Sequence, residues 1–303
     1  MAQTAEVSPP KSRWRGLADR LRCPECAAPL SPGSGELVCT QNEHAFPFAG
    51  GSPVLLEQSE REALLGDLGT AELQTREYKP GLGARFIAGV KWAIGSTLHL
   101  PVSKTVKDLW KEHGDEPSLE VGSGTVSGGP NQINLDIAAF SHVDVVGSAL
   151  NIPFLDDTFS LVRNVAVLEH VRDPRAMIDE MHRVCRPGGY VYTEVPFLQH
   201  FHAYPNDFQR YTVEGLKEAF SEFETVEVGV CVGPCSAITA LIADWFELLT
   251  FSNKRWINDL ARAIPLILLL PLKYLDRLLV KNPRAHEVAS GIYLLARKPE
   301  VRG

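Results

Sequence analysis

The 303-residue chain has no hydrophobic run long enough to cross a bilayer. Its most apolar stretch, AIPLILLLPL at 263–272, is short and broken by Pro265 and Pro271, where a spanning helix needs about 20 apolar residues. It has no surplus of positive charge either. Thirty Lys and Arg stand against 37 Asp and Glu, a net charge of −7, which argues against a broad phosphate-contacting surface. Cysteine is sparse, six in all, without the dense framework of a secreted disulfide scaffold. No leader of the secretory kind opens the chain: Met1 to Pro10 is small and polar, so residues 1–18 are expected to be a disordered basic N-terminus and the protein cytoplasmic. There is no internal repeat and no low-complexity run.

What is present is a rhythm of apolar strands, each ending in a polar or glycine-rich turn, from 118 to 197. Leu119, Glu120 and Val121 close a first strand, and Gly122 and Gly124 follow, where a β-carbon would hold the backbone away from a ligand. Ile133 to Asp136 is a second strand whose terminal carboxylate can accept both hydroxyls of a ribose. Leu161 to Val165 is a third. Asp173 to Cys185 reads as a helix with Ala176, Met177, Met181 and Val184 on one face, stopped by Arg186-Pro187-Gly188-Gly189. Tyr190 to Pro196 is the next strand, and Ser290 to Arg297 the last. This is a parallel α/β pattern whose strand ends face a ligand. A glycine pair after a strand also fits a dinucleotide-binding turn, or a tight turn with no ligand.

The combination Glu-Val-Gly-Ser-Gly, Leu-Asp, Leu-Glu-His-Val and Arg-Pro-Gly-Gly resembles the class I S-adenosylmethionine-dependent methyltransferases, over about the last two thirds of the chain. The resemblance implies a Rossmann-like seven-stranded α/β sheet at 101–299, with S-adenosylmethionine as cofactor. Glu120, Gly122, Gly124 and Asp136 would line it, with Ser148, Ala149 and Asn164 nearby. Two departures stand out. Family members usually carry a third glycine where Val126 sits, and too few residues separate strands one and two for the usual helix, so 125–132 is expected to be a loop. An aspartate is common where Ser148 stands; its hydroxyl can still accept a hydrogen bond, without charge. For His170 the resemblance implies a structural or cofactor-edge role rather than catalysis.

A second motif lies at 19–57. Cys23-Pro24-Glu25-Cys26 is followed by Cys39 and His44, a C-x2-C and a C-x4-H pair twelve residues apart. Thiolates and imidazole at that spacing suit a tetrahedral zinc site with no open position, hence a structural metal. The alternative is a small β module of reduced cysteines without metal. The segment resembles the zinc ribbon fused to some bacterial rRNA methyltransferases, and the small zinc-ribbon partner that activates tRNA and protein methyltransferases. Lys11, Arg13, Arg15, Arg20 and Arg22 form a basic cluster before it, read as a solvated face rather than an RNA or lipid contact. Residues 58–100 are expected to be a helical linker or cover.

After the fourth strand, Pro196 to Thr212 gathers His200, His202, Asp207, Arg210 and several aromatics in one loop at the ligand edge. The run resembles a bacterial methyltransferase subgroup with Pro-Phe-x-x-x-x-His leading to Asp-Phe/Tyr-x-Arg-Tyr/Phe-Thr. Functionally, His200 or His202 would act as general base, Asp207 would orient it or bind the acceptor, and Arg210 would hold a phosphate or carboxylate. Structurally, Asp207 and Arg210 would form an ion pair that fixes the loop. Thr212 is expected to cap a helix to Phe220.

An apolar insertion occupies 236–285. Ile238, Leu241, Ile242, Trp245, Phe246 and Leu249 fall at helical spacing, and Arg262, Lys273, Arg277 and Lys281 flank the 263–272 run. A buried lid helix or a homodimer face is the first expectation; peripheral membrane contact through 255–281 is the second. The reading is thus methyl transfer to an O or N acceptor on a small-molecule, glycan or lipid-linked substrate. RNA or a translation protein is the alternative acceptor, and a non-catalytic binding protein on the same fold the alternative to an enzyme.

Overall fold

A computed structural model describes residues 10–62, 97–203 and 206–300. The expected helical cover falls largely on 63–96, outside the described residues, as do 1–9. The N-terminal third builds four short strands: β1 (Leu30–Pro32), β2 (Glu36–Cys39), β3 (Ala45–Ala49) and β4 (Ser52–Leu55). After helix α1 (Lys104–Glu112) come β5 (Ser118–Val121), β6 (Gln132–Asp136), β7 (Val145–Gly147) and β8 (Phe159–Val165). Helix α2 (Pro174–Val184), β9 (Cys185–Pro196), α3 (Val213–Ala219), β10 (Glu224–Val232), α4 (Pro234–Leu248), α5 (Arg255–Leu268) and β11 (Gly291–Arg297) complete the order.

The sheet runs β1-β2-β3-β4-β7-β6-β5-β8-β9-β11-β10. Its last seven strands are the Rossmann-like sheet expected from the sequence, with β7, β6, β5, β8 and β9 parallel and β11 antiparallel between β9 and β10. The sheet is longer than seven strands, however. Val54 and Leu55 of β4 pair parallel with Val146 and Gly147 of β7, so the N-terminal module is continuous with the main sheet and covers what would be an open edge.

Period-two alternation sorts the strands' side chains. Leu119, Val121, Ile133, Leu135, Val162, Val191 and Val195 form one buried face, packed against Met177, Ile178, Met181 and Val184 of α2. Ile178 joins the stripe and the expected Ala176 lies at its margin. Each large apolar side chain so buried stabilises the fold by about 1.5–3 kcal/mol. Helix α2 starts where Asp173 Oδ1 accepts the Ala176 amide at 3.1 Å, with Pro174 at its first position, a common start because proline has no amide to leave unpaired.

The other face is partly polar. Val106 and Trp110 of α1 cover Tyr192, Tyr293 and Leu295. Beside them Glu120 pairs with Arg163 at 3.2 Å, and that guanidinium stacks on Trp110 at 4.4 Å. Residues 122–131 contain no helix, as the short spacing required. Side chains therefore satisfy the loop's carbonyls: Asn134 Nδ2 donates to Val126 O at 2.8 Å, and Arg13 Nη1 to Gly128 O and Gly129 O at 3.1 and 2.8 Å.

The disorder expected up to residue 18 is corrected from Pro10 onward. Pro10–Arg20 is a kinked 3-10 helix in which Trp14 is buried, its indole donating to Gly51 O at 3.2 Å. Two members of the basic cluster point inward: Arg13 pairs with the fully buried Asp144, and Arg22 with Glu180. The apolar stripe of α4 is also corrected as a buried helix face. The buried side of α4 is lined by the small residues Ala237, Ala240 and Ala243, while Ile238, Leu241, Trp245 and Leu249 face outward.

Candidate functional site

The parallel strands β5 to β9 end on one edge of the sheet, and the candidate residues converge there. Gly122 and Gly124 both hold positive φ, +70° and +55°, conformations that side chains disfavour. The turn is tied to the neighbouring strand: Gly122 and Ser123 amides donate to Leu135 O at 2.8 and 3.1 Å, and the Gly124 amide to Asp136 Oδ2 at 2.8 Å. Asp136 Oδ1 accepts the Ala138 amide at 2.9 Å. Burial pushes the Asp136 carboxyl up, and these amides only partly offset it, so further hydrogen-bond donors would be welcome there. A β-carbon on Gly122 would lie 2.4 Å from a Val167 methyl, which puts the β8 loop directly against the glycine turn.

Other predicted lining residues are placed differently. Glu120 engages Arg163 beneath the turn instead of facing it; burial pushes its carboxyl up, against the pull of Arg163. Asn164 is withdrawn as a lining residue: it lies on the α2 face, its amide donating to Met181 Sδ at 3.5 Å and accepting from Thr193 Oγ1 at 2.8 Å. Ser148 is buried at the end of β7, its hydroxyl accepting the Leu150 amide at 3.4 Å, and Ala149 packs on the core. Sequence reasoning missed Ile137 and Leu150. They follow Asp136 and Ala149 and keep 54% and 39% of their surface exposed, two apolar side chains on adjacent loops of the ligand edge. An apolar residue directly after a strand-ending acid was the available signal.

The loop at 197–212 is pinned to the end of β8. The Phe208 amide donates to Glu169 O at 2.8 Å, and Gln209 Nε2 to Leu168 O at 2.8 Å. Asp207 accepts both guanidinium arms of Arg210, Nη2 at 2.7 Å on Oδ2, and the His202 amide at 2.9 Å. Arg210 holds the Asp207 carboxyl well below its usual range. This pair is the ion pair of the structural reading of the sequence, and through the His202 amide Asp207 also makes the orienting contact set out for it in the functional reading. His200 lies with Nδ1 3.7 Å from Asp244 Oδ2; burial pulls its pKa down.

His202 converges on two residues that sequence reasoning had not joined to it. Its Nε2 is 3.5 Å from Glu169 Oε1, and His170 Nε2 is 3.7 Å from the same oxygen. The Glu169 side chain is fully buried, and burial pushes its carboxyl up against the pull of the two histidines. Burial, then the Glu169 charge, push the Tyr211 hydroxyl up to about 12. The signal for this cluster was Glu-His directly after a strand, facing a histidine-rich loop.

In the N-terminal module the ligand atoms of Cys23, Cys26, Cys39 and His44 lie within 4.8 Å of one another. Cys26 Sγ is 3.5 Å from Cys39 Sγ, and Cys23 Sγ 3.4 Å from His44 Nδ1; tetrahedral zinc with its usual bond lengths would separate two thiolates by about 3.8 Å. Ala27, with φ of 60°, turns the chain so that the Ala27 amide donates to Cys23 O at 2.8 Å. The Ala28 amide leads in pulling the Cys26 thiol down to about 6, whereas burial pushes Cys23 up to about 12. All six cysteines are free thiols, so the donor set fits a structural zinc.

Comparison with known proteins adds the following. A family described as "Methyltransferase domain" matches residues 119–193, the stretch from β5 to β9. An uncharacterized methyltransferase of Schizosaccharomyces pombe is 39% identical over 64 residues, 21% of this chain and 23% of that protein. Norajmaline N-methyltransferase of Rauvolfia serpentina is 51% identical over 43 residues, 14% of this chain and 15% of that one. The chain thus spans less than a quarter of either relative. Phosphoethanolamine N-methyltransferase 2 of Haemonchus contortus, solved with S-adenosyl-L-methionine, aligns at TM-score 0.42 and 14% identity over 71% of this chain and 57% of that one. The stretch matched by that family, 119–193, carries the glycine turn, Asp136, the β8 loop and most of the strand that leads into the histidine loop.

Proposed function

We propose that the protein is an S-adenosylmethionine-dependent methyltransferase acting on an O or N acceptor of a small-molecule, glycan or lipid-linked compound. The observation that carries this is the coincidence of the methyltransferase-domain match at 119–193 with a preformed ligand edge: the Gly122–Gly124 turn locked to β6, with Asp136 at its rim. The residues present suit the cofactor. The left-handed glycines let backbone approach its amino-acid end, Asp136 offers a carboxylate to the ribose hydroxyls, and Ile137 and Leu150 offer apolar surface to the adenine faces.

Bound there, S-adenosylmethionine supplies a sulfonium methyl: the acceptor lone pair forms the new bond to carbon, and the carbon–sulfur pair stays on sulfur. The acceptor proton must pass to a protein group or to water, and the proton-accepting groups gathered on that edge are those of Glu169, His170 and His202. The Asp207–Arg210 clamp positions His202. The zinc of Cys23, Cys26, Cys39 and His44 holds the N-terminal strands in place and takes no part in the chemistry.

Two features bear on the acceptor. Arg13 and Arg22 are engaged inside the fold, which weakens the case for an RNA acceptor. The outward apolar side chains of α4 and α5, Trp245, Leu249, Trp256 and Leu260 among them, favour a lipid-linked acceptor or a membrane surface. The flanking charge is thinner than the sequence suggested, since Arg262 pairs with Asp244 and Glu247, and Lys273 is buried.

Calorimetry with S-adenosylmethionine tests the reading. The native chain binds it, and Asp136→Ala weakens binding by about 10–100-fold, the loss expected for hydrogen bonds to a charged group. A native chain that ignores the compound overturns the enzyme reading.

A further inference from the structure

Glu169 is fully buried on the ligand edge, and among the described residues no donor makes a hydrogen bond to either of its oxygens. An orphaned buried carboxylate is costly, so something besides the described protein atoms is expected to satisfy it. What faces it are the two imidazoles, and their tautomers follow from their other nitrogens. His170 Nδ1 lies 2.5 Å from the Asn206 carbonyl, so Nδ1 carries the proton and Nε2 a lone pair. His202 Nδ1 lies 3.1 Å from the His200 carbonyl and 3.6 Å from Asp207 Oδ2. These two acceptors outweigh Arg210 Nη2 at 3.5 Å, so its Nε2 also carries a lone pair. With both imidazoles neutral, Glu169 Oε1, His170 Nε2 and His202 Nε2 are three lone-pair donors that converge on one point, the two nitrogens 3.7 and 3.5 Å from the carboxylate oxygen. The ligand atoms of the three residues lie within 4.8 Å of one another.

We propose that Glu169, His170 and His202 bind a divalent first-row cation, a second metal site distinct from the cysteine site. Two imidazoles and one carboxylate are a donor set for manganese, iron or cobalt, and leave coordination positions open. Each imidazole has, on its far nitrogen, the acceptor that metal-bound histidines use to fix their tautomer: a carbonyl for His170, a carbonyl with Asp207 for His202. The Asp207–Arg210 clamp then orients a ligand.

The role of this cation rests on the methyltransferase reading. The β8 loop that carries Glu169 and His170 abuts Gly122 through Val167, so the site and the proposed cofactor turn share one loop. A cation there lowers the pKa of a coordinated hydroxyl, and the proton leaves to water while the imidazoles serve as ligands. That selects an oxygen acceptor, best one offering two oxygens to the metal, such as a vicinal diol or a hydroxyl beside a phosphate.

The test is titration of the zinc-loaded full chain with Mn2+, followed by the loss of the free-ion paramagnetic signal. Mn2+ stands at the weak end of the affinity order and does not displace zinc from thiolates. One Mn2+ per chain is expected, weakened at least tenfold by Glu169→Gln and by His202→Asn, and unchanged by His286→Gln on the surface. Circular dichroism verifies the fold, and His202→Asn, on a loop, serves if Glu169→Gln fails to fold. A native chain that leaves Mn2+ free and takes up no Co2+ or Zn2+ beyond the cysteine site overturns the proposal, and the cluster is then a carboxylate–imidazolium pair. Binding that survives both ligand substitutions overturns it equally. Calorimetry on the same sample separates the two readings: Mn2+ bound without S-adenosylmethionine binding removes the enzyme and keeps the site, and the converse removes only the site.

Discussion

Gly122 and Gly124 look alike in the sequence and differ in what surrounds them. Both sit in the left-handed region, where a side chain costs about 1–2 kcal/mol. At Gly124 an added methyl meets open space, so Gly124→Ala is expected to lose only about that much. At Gly122 the methyl would meet both Val167 methyls, at 2.4 and 3.0 Å. Val167 is β-branched and therefore stiff at its first side-chain torsion, so overpacking adds about 1–3 kcal/mol. Urea denaturation of the two variants gives the order: Gly122→Ala is the more destabilised, and Gly122→Ala with Val167→Ala recovers part of the loss. Equal losses would mean that Val167 does not press on the turn.

At the scale of elements, legibility in the sequence follows the range of the interaction. The α2 helix, its Asp173 cap and the α3 helix with Thr212 Oγ1 accepting the Gly215 amide are local, and capping residues three positions from their targets expose them. The loop at 122–131 was legible as a length too short for a helix. Helix α4 starts with Pro234, which is a local signal, but no neighbouring side chain caps it. Its cap is the buried Asp276, 41 and 40 positions on. That carboxylate accepts the Cys235 amide at 2.7 Å, the Ser236 amide at 3.0 Å and the Ser236 hydroxyl at 2.8 Å. The cluster of Glu169, His170 and His202 was missed for the same reason: the strand end and the loop meet only in the fold. Asp276→Ala would orphan three buried donors, each worth about 1–3 kcal/mol. The expected loss is about 3 kcal/mol or more, or on the order of 6–12 °C in melting temperature for a chain of this size. Asp276→Asn, which keeps one acceptor oxygen, should fall between native and alanine in thermal scans; a variant melting with the native chain would show that α4 does not depend on this cap.

For the whole molecule, the question is whether the cysteine module is an appendage. The spacing of its ligands was plain in the sequence, but its union with the main sheet was not, because β4 pairs with a strand about ninety positions away by a parallel ladder that no turn signal announces. The union is extensive. Leu55, Phe46, Leu37 and Trp14 share one buried cluster with Leu119, Val121 and Leu135 of the central strands. Arg22 Nη2 donates to Asn151 Oδ1 at 2.9 Å, and Asn151 Nδ2 to Pro24 O at 2.8 Å, so the first cysteine knuckle is stitched to the loop after β7. That loop carries Ser148 and Leu150, part of the proposed adenine site. A structural zinc contributes directly to folding free energy where the site forms only in the folded chain. Its removal should therefore be felt across the sheet, not only in four short strands. The expected outcome is one calorimetric unfolding transition for the native chain. A zinc chelator should move it down as a unit, by on the order of 10 °C if several kcal/mol are lost, and S-adenosylmethionine binding should weaken in step as the β7 loop loosens. Two separate transitions, with only the lower sensitive to the chelator, would mean that the module folds by itself and that the β4–β7 ladder contributes little to holding the ligand edge.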